Sequence, residues 1–487
     1  MASMLHNFVD VDQSKAADHH DEGTRALTEP AKVLSRTYPG APESIELPRI
    51  PSHHVEPPGP ANPRRETDLE MSRPSTPVDI TAETVPSVWD PYMNRFRLLV
   101  VCAFSLGNGM VDSAAGALIP YMEKYYDIEY GVVSLIFVGQ SLGFILSAVL
   151  LETSRAKLGR AKTIALGQAL MILGYIPLIC NAPWVVNVLS FILIGYGLAV
   201  NVAMGNIFCG GLQNSTFHLG LLHGSYGIGG TTGPLIATAM MTIAQTIWSR
   251  FYLIPLGFAV FTLGGSLWSF WNFEKEQSPA ARAAESPAVT ESVILGMARA
   301  LKTRIVLLGA LFIFAYQGAE VSISGWVISF LINARGGDPS TVGYVSSGFW
   351  AGITLGRFLL SGPAKRIGEK RFVYFSTIMA LLFQALVWAV PNVVTNAVAV
   401  SIVGLMLGPI YPCCAAVFMR KLARSERLSG MATISAFGSL GGAMAPFVTG
   451  LLAQAVGTFV LHPIVIFLFL VMLLCWWAIP AEVKRDE

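Results

Sequence analysis

Four ionisable residues sit inside long apolar runs of this chain: Asp112, His223, Glu320 and Arg357. A charge is costly amid hydrocarbon, and where one occurs it faces a partner or a watery path. In "LGNGMVDSAAGALIP", Asn108 and Asp112 are four residues apart, so both look out from one helix face. Glu320 lies one turn from Gln317 and from Ser324 and makes a second polar stripe of the same kind. Burial disfavours the charged form of a carboxyl, and such a group takes up and releases a proton as its access to water changes. Asp112 and Glu320 are therefore the proton-coupling candidates. The competing explanation is a structural network in which Arg357 or His223 pairs with an acid.

These residues need elements that carry them into an apolar setting. Of the 487 residues, 53% are hydrophobic and only 13% charged, with a mean hydropathy of +0.55, whereas soluble domains hold about 25% charged residues. An integral membrane protein follows. The net charge of +2 gives no reason to invoke nucleic acid. From Arg97 onward, apolar runs near the roughly 20 residues that a helix needs to cross hydrocarbon recur between short polar breaks. They fall at 97–121, 131–152, 161–181, 184–208, 219–245 and 251–272, then at 304–332, 341–362, 371–391, 393–419, 429–456 and 459–479. Twelve membrane helices are expected, six on each side of the polar stretch "NFEKEQSPAARAAESPAVTES".

The expected organisation is a disordered cytosolic tail over 1–95, a six-helix bundle over 96–272, a cytosolic linker over 273–303, a second six-helix bundle over 304–480 and a short cytosolic tail over 481–487. The first tail, with stretches such as "SHHVEPPGPANPRRETDLEMSRPSTPVD", is rich in Pro, Glu, Arg and Ser and lacks the apolar surface that folding requires. Ser75, Thr76 and Pro77 match a phosphorylation pattern within it. No apolar segment of the secretory type lies near Met1, so the first span is expected to direct insertion.

Loop charge sets the orientation. Arg155, Lys157, Arg160 and Lys162 follow the second run, Lys365, Arg366, Lys370 and Arg371 the eighth, and Arg420, Lys421, Arg424 and Arg427 the tenth. The other side carries only Lys124, Arg250 and Arg335. By the positive-inside rule both termini and the linker are cytosolic, and Asn214 in "NST" would escape glycosylation. The six cysteines have no metal-ligand or redox spacing and read as small packed residues.

The two halves repeat each other. "GFILSAVLLETSRAKLGRAK" from Gly143 aligns with "GITLGRFLLSGPAKRIGEKR" from Gly352, 209 residues on (352 minus 143), and "GYGLAV" at Gly195 meets "GLMLGP" at Gly404 with the same offset. "GIGGTTGP" and "GSLGGAMAP" correspond after one extra residue. Two parallel six-helix repeats with a site at their interface describe the major facilitator architecture. "FAYQGAEVSISGWVISFL", "GRFLLSGPAKRIGEKR", "GPIYP" and "LLHGSYGIGGTTGPL" resemble the fucose permease and glucose/galactose transporter branch of that superfamily, including its fungal relatives, over about Arg97 to Pro480. The resemblance implies an all-α major facilitator fold and a proton-linked secondary transporter of a small organic solute, sugar-like in class, that works by alternating access. Proton-coupled members of the branch pair a span-one acid with one in span four. Here "FILIGYGLAVNVAMGNIF" offers Asn201 and Asn206 and no acid. The basic loop resembles the superfamily signature, with Ala156 and Lys365 at the places where that signature carries an acid.

Around the two acids, Asn108, Gln140, Asn201, Asn206, His223, Tyr226, Gln317, Trp326, Trp350 and Tyr411 are the cavity candidates, supplying hydrogen bonds and aromatic faces for a solute; Gln168 and Gln384 add further amides. Arg357, Arg155, Lys157, Arg160, Lys365 and Arg366 are candidates for gating or contact between the halves. Gly220, Gly229, Gly233 and Pro234 form a small-residue face that suits close helix packing. Their spacing also matches part of the "G-x8-G-x3-GP" pattern associated with superfamily antiporters, with Ala237 and Thr238 where its closing glycines would stand. Proton-antiport efflux of a lipophilic metabolite or toxin is therefore the alternative, and a non-transporting receptor the remote one. No enzyme motif, metal set or cofactor site is read: "GxxxxGK" is absent from the sequence, and "GIGGTTG" lacks the strand a nucleotide loop needs. The expected partners are the solute, protons and the lipid bilayer. A monomer is expected, in the plasma membrane or, alternatively, in a vacuolar or other internal one.

Overall fold

The computed structural model describes residues 86–276, 293–422 and 427–479. The tail over 1–85 with Ser75, Thr76 and Pro77, the middle of the linker, Arg424 and the chain beyond 479 lie outside the described residues. Span one is Asn94–Tyr126, and spans two and three form one helical stretch, Leu135–Ile179, after the short helix Tyr130–Val133. Spans four, five and six are Trp184–Gly210, Ser215–Thr242 and Leu253–Phe270. Two short helices, Phe273–Glu276 and Val293–Ala300, flank the undescribed part of the linker. Spans seven, eight and nine are Arg304–Arg335, Tyr344–Leu359 and Glu369–Ala389. Span ten runs as Val393–Leu407 and, past Gly408 and Pro409, as Ile410–Lys421; span eleven is Arg427–Val456 and span twelve Leu461–Ala478.

Among the described residues, nine helical stretches are long and apolar enough to cross a membrane. One of them, Tyr130–Ile179, bends at Gly159 and serves as two crossings. Span five, rich in glycine and hydroxyl residues, and span eight, a helix of only 16 residues, complete the twelve. The basic segment from Arg155 to Lys162, expected as a loop, is helical on both sides of the bend, because only Gly159 leaves helical geometry, at φ 75° and ψ 174°. That left-handed value suits a residue without a Cβ.

The sequence repeat is a repeat of contacts. A Cβ on Gly143 would strike the carbonyl of Ile192, and one on Gly195 the carbonyl of Gln140, so spans two and four touch backbone to backbone. In the second half, a Cβ on Gly352 would strike the Ser401 carbonyl, and one on Gly404 the Phe349 carbonyl. All four second-half residues lie 209 positions after their counterparts (352 minus 143, 404 minus 195, 401 minus 192, 349 minus 140). Spans one and five meet likewise at Gly229 and the Leu106 carbonyl, and spans seven and eleven at Gly441 and the Phe314 carbonyl.

The halves cross where spans one and seven meet. Gly116 lies against the Ser324 carbonyl, and these two residues are 208 apart (324 minus 116), so they are equivalents touching across the two-fold relation between the repeats. On the face away from the linker the halves are clasped. The amide of Gly131 donates to Gln454 Oε1 at 3.1 Å, Gln454 also donates to Glu129, and Asn333 donates to the Tyr130 hydroxyl at 2.9 Å. Deeper in, Ser141 Oγ donates to the Ser439 carbonyl at 3.1 Å. On the linker face the halves diverge around a cavity whose mouth carries Arg155, Lys157, Met297 and Arg299.

Backbone contact at these glycines leaves no room for a side chain, whereas Gly220 has open space around its Cβ direction. Gly195→Val and Gly404→Val are each expected to destabilise the protein by about 1–3 kcal/mol, the usual cost of overpacking, seen as a lower thermal-unfolding midpoint in detergent. Gly220→Ala serves as the control and is expected to leave that midpoint unchanged.

Candidate functional site

The cavity has a volume of about 2460 Å³ and is walled by spans one, two, four and five on one side and seven, eight, ten and eleven on the other. At its wall, one turn from the Gly116 crossing, stands Asp112. Gln140 Nε2 donates to Asp112 Oδ1 at 2.5 Å, and the Tyr226 hydroxyl donates to Oδ2 at 2.6 Å. Both donors are neutral, and among the described residues no ion pair joins Asp112 to a base. The Tyr226 ring meets the Trp350 ring edge-on at 6.1 Å between centroids, and the Trp350 indole donates to Ser324 Oγ at 2.8 Å. One ring system thus ties the Asp112 donor to the crossing point.

Glu320 occupies the corresponding place on span seven, with 5% of its surface exposed. Its Oε2 has no hydrogen-bond partner among the described residues, although the residue lines the cavity. The Tyr316 hydroxyl, one turn earlier, lies beside both Glu320 and Arg357. Arg357 is half-buried and projects its charge onto Glu320, Tyr316 and Tyr226. This places Arg357 on the cavity wall, in electrostatic contact with groups of both halves. His223 also faces the cavity, near the Arg357 charge.

Other candidates separate into two groups. Asn206, Gln317 and Tyr411 line the cavity. Asn108 and Asn201 also border it, but their side chains are consumed in a buried chain: Gln168 donates to Asn201 at 2.8 Å, Asn201 to Asn108 at 3.0 Å, and Asn108 to the Leu198 carbonyl at 3.3 Å. Their amides knit spans one, three and four together. Trp326, expected in the cavity, lies outside its lining: it is 1% exposed, its indole donates to the Pro446 carbonyl at 2.8 Å, and its ring packs on Tyr130. Gln384 is likewise elsewhere, paired with His462 at 2.8 Å between spans nine and twelve.

Of the basic candidates, Arg155 and Lys157 stand at the cavity mouth, with Arg155 bonded to Glu152 at 3.0 Å. Arg160 is instead turned to the start of the linker: its amide donates to Glu274 Oε1 at 2.6 Å, and its guanidinium lies 4.4 Å from the centre of the Phe273 ring. Lys365 and Arg366 are exposed on the short helix Ser361–Ile367, which packs on spans eight, nine and ten of its own half. Gly229, Gly233 and Pro234 are buried against span one, while Gly220 borders the cavity with free space, so it is not a packing glycine. Sequence reasoning passed over Tyr316, which the one-turn spacing to Glu320 would have found. It also passed over the clasp of Glu129, Tyr130, Asn333 and Gln454, scattered polar residues at helix ends that carry no spacing signal.

Two helical repeats around a central cavity with polar groups set in a mainly apolar wall match the architecture of membrane carriers of small solutes. The chain belongs to the Major Facilitator Superfamily, whose family model matches residues 101–332 and 318–487. It is similar to Bypass of stop codon protein 6 of Saccharomyces cerevisiae, 24% identical over 83% of this chain and 85% of that protein. It is also similar to the glucose/mannose transporter GlcP of Bacillus subtilis, 20% identical over 74% of this chain and 88% of that one. Among solved structures, the nucleoside transporter NupG, in a single-substitution mutant, superposes with a TM-score of 0.63 at 12% identity, covering 79% of this chain and 98% of that one. The E. coli fucose:proton symporter FucP superposes with a TM-score of 0.57 at 14% identity, covering 79% and 99%. At those identities the superpositions speak for the fold alone.

Because Asn201 is the middle link of a buried amide chain, Asn201→Leu is expected to act on stability. It orphans groups of Gln168 and Asn108, each costing about 1–3 kcal/mol when buried and unsatisfied. A lowered unfolding midpoint with unaltered solute affinity in the folded fraction is the expected result.

Proposed function

We propose that this chain is a proton-linked secondary transporter of a small, sugar-like organic solute, with Asp112 as the proton carrier. One observation carries the reading: a carboxyl on the cavity wall, beside the crossing of the halves, is held only by neutral donors and has no base to lock it. Such an acid changes charge at modest structural cost, because Gln140 and Tyr226 bond it in either state. Glu320 with Arg357 and Tyr316 forms a second polar group across the cavity. The free Oε2 of Glu320 accepts from a solute hydroxyl, and Arg357 donates to the next, a donor and acceptor pair suited to a polyol. Glu320 is the second proton candidate. The name of one relative, a glucose/mannose transporter, favours the same class of solute.

The orientation we propose follows from loop charge, with the cavity mouth, the linker and both termini on the cytosolic side. The open mouth then makes this the inward-facing state, and the clasp at Glu129, Tyr130, Asn333 and Gln454 is the closed outer gate. The proposed membrane is the plasma membrane. Efflux by proton antiport is the second reading, favoured by the apolar part of the wall, where Phe104, Phe137, Phe144 and Val321 face the cavity.

Reconstituted protein is expected to accumulate solute on the alkaline side of an imposed pH gradient, and a protonophore to abolish the accumulation. Asp112→Asn is expected to remove that concentrative flux by at least about tenfold, the loss matching a barrier rise of about 1.4 kcal/mol, while solute exchange without net proton movement persists. Flux indifferent to gradient and protonophore would refute the coupling. Thermal stabilisation by lipophilic metabolites, with none by monosaccharides, would replace uptake by efflux.

A further inference from the structure

Two cations on the outer surface of the first half stand apart from the cavity and have no acidic partner among the described residues. Arg95, at the start of span one, lies 3.5 Å from the centre of the Tyr92 ring, 5.6 Å from that of Phe96 and 5.8 Å from that of Trp89. Its Nε is enclosed and makes no hydrogen bond among the described residues. Lys162, on span three just past the Gly159 bend, lies 5.7 Å from the centre of the Trp271 ring. Phe96 meets Trp268 at 5.0 Å, and Trp268 and Trp271, three residues apart, share one face of the helix end. The result is one strip over spans one, six and three, with a cation at each end and aromatics between.

Arg97, two residues from Arg95, differs in having an acid beside it, although its Nη2 is also buried without a hydrogen-bond partner among the described residues. It is 1% exposed, bonded to Glu276 at 2.8 Å, to Asn94 at 2.9 Å and to the Ser269 carbonyl at 2.8 Å. Arg95 and Lys162 face outward instead. Trp89, Tyr92, Trp268 and Trp271 are exposed, as aromatic side chains are at the level of lipid headgroups. A guanidinium flanked by three rings, with its Nε enclosed and no acid beside it among the described residues, suits an anion supplied by the surroundings. The anion available there is a lipid phosphate.

We propose that this strip binds acidic phospholipids in the leaflet at the cavity mouth, with anionic headgroup oxygens met by Arg95 at one end and by Lys162 at the other, and acyl chains lying along spans one and six. Occupancy neutralises both cations and fixes the start of span one, the helix that carries Asp112.

The test uses the full chain, delipidated in mild detergent and titrated with phosphatidylserine or with phosphatidylcholine, bound lipid being counted by native mass spectrometry. Preferential retention of phosphatidylserine is expected, falling roughly tenfold or more in the double variant Arg95→Gln, Lys162→Gln, in line with two interfacial cations. The double variant Arg95→Lys, Lys162→Arg keeps both charges and is expected to keep the preference, which separates charge from misfolding. Equal retention of the two lipids by the native chain, as when its own acidic residues fill the strip, would overturn the proposal. So would an unchanged preference in the glutamine variant, or displacement of phosphatidylserine by millimolar inorganic phosphate, which would mark a free-anion site. None of these readouts depends on transport.

Discussion

A carboxyl inside hydrocarbon must exchange its hydration for fixed donors or keep a path to water, and Asp112 does both. Its two donors arrive from different helices, and the same glycines that pack the bundle bring them close. The backbone carbonyl of Gln140 lies against Gly195, and that of Tyr226 against Gly109. A larger residue at either glycine would push spans two or five outward and carry the donor away from the acid. The polar site thus depends on backbone contact between helices, the interaction that dominates packing where lipid offers no hydrophobic gain. Stability and chemistry here rest on the same small residues.

Duplication placed an acid at 112 and another at 320, 208 residues apart, yet their surroundings have diverged. At the offset of 209, Gln140 corresponds to Phe349 and Arg357 to Ala148; at 208, Tyr316 corresponds to Asn108. Span eleven, aligned with span five through Gly229 and Gly441, carries Gly438 where span five carries Tyr226. Glu320 therefore lacks both neutral donors of Asp112 and faces a guanidinium and a phenol instead. One half offers an acid free of any base and the other a polar pair of opposite sign. A shared scaffold with unlike side chains gives the two walls of one cavity different chemistry.

Much of the architecture was legible because the membrane imposes a length and a composition on each crossing. The repeat was legible because glycine is forced wherever two backbones touch, so Gly143, Gly195, Gly352 and Gly404 keep their spacing while neighbouring residues drift. The acids stood out through their cost in an apolar run. Direction around the helix axis was harder to see. Trp326 and Trp350 sit in equally apolar strings, and only the rotation of spans seven and eight turns one toward Pro446 and the other toward the cavity. Asn201 and Asn206, five residues apart, point differently for the same reason, one into a buried amide chain and the other to the cavity. The basic stretch around Gly159 read as a loop because charge marks the end of a crossing without saying whether the helix stops there.

Alternating access requires a closed face that holds and yet releases. The clasp away from the linker consists of side-chain hydrogen bonds, from Gln454 to Glu129, from Gly131 to Gln454 and from Asn333 to Tyr130, with Ser141 and Ser439 behind them. The neutral ones are each worth about 0.5–1.5 kcal/mol net and the one to the Glu129 carboxylate about 1.5–3 kcal/mol, so the set contributes only a few kcal/mol. Under the proposed alternating access, differential binding of a ligand to the two states supplies energies of that size. An apolar or ion-paired seal of the same area would hold the face shut against them. The scarcity of charge at the clasp and its presence at the mouth, where Arg155 bonds Glu152, therefore follow from what each face must do.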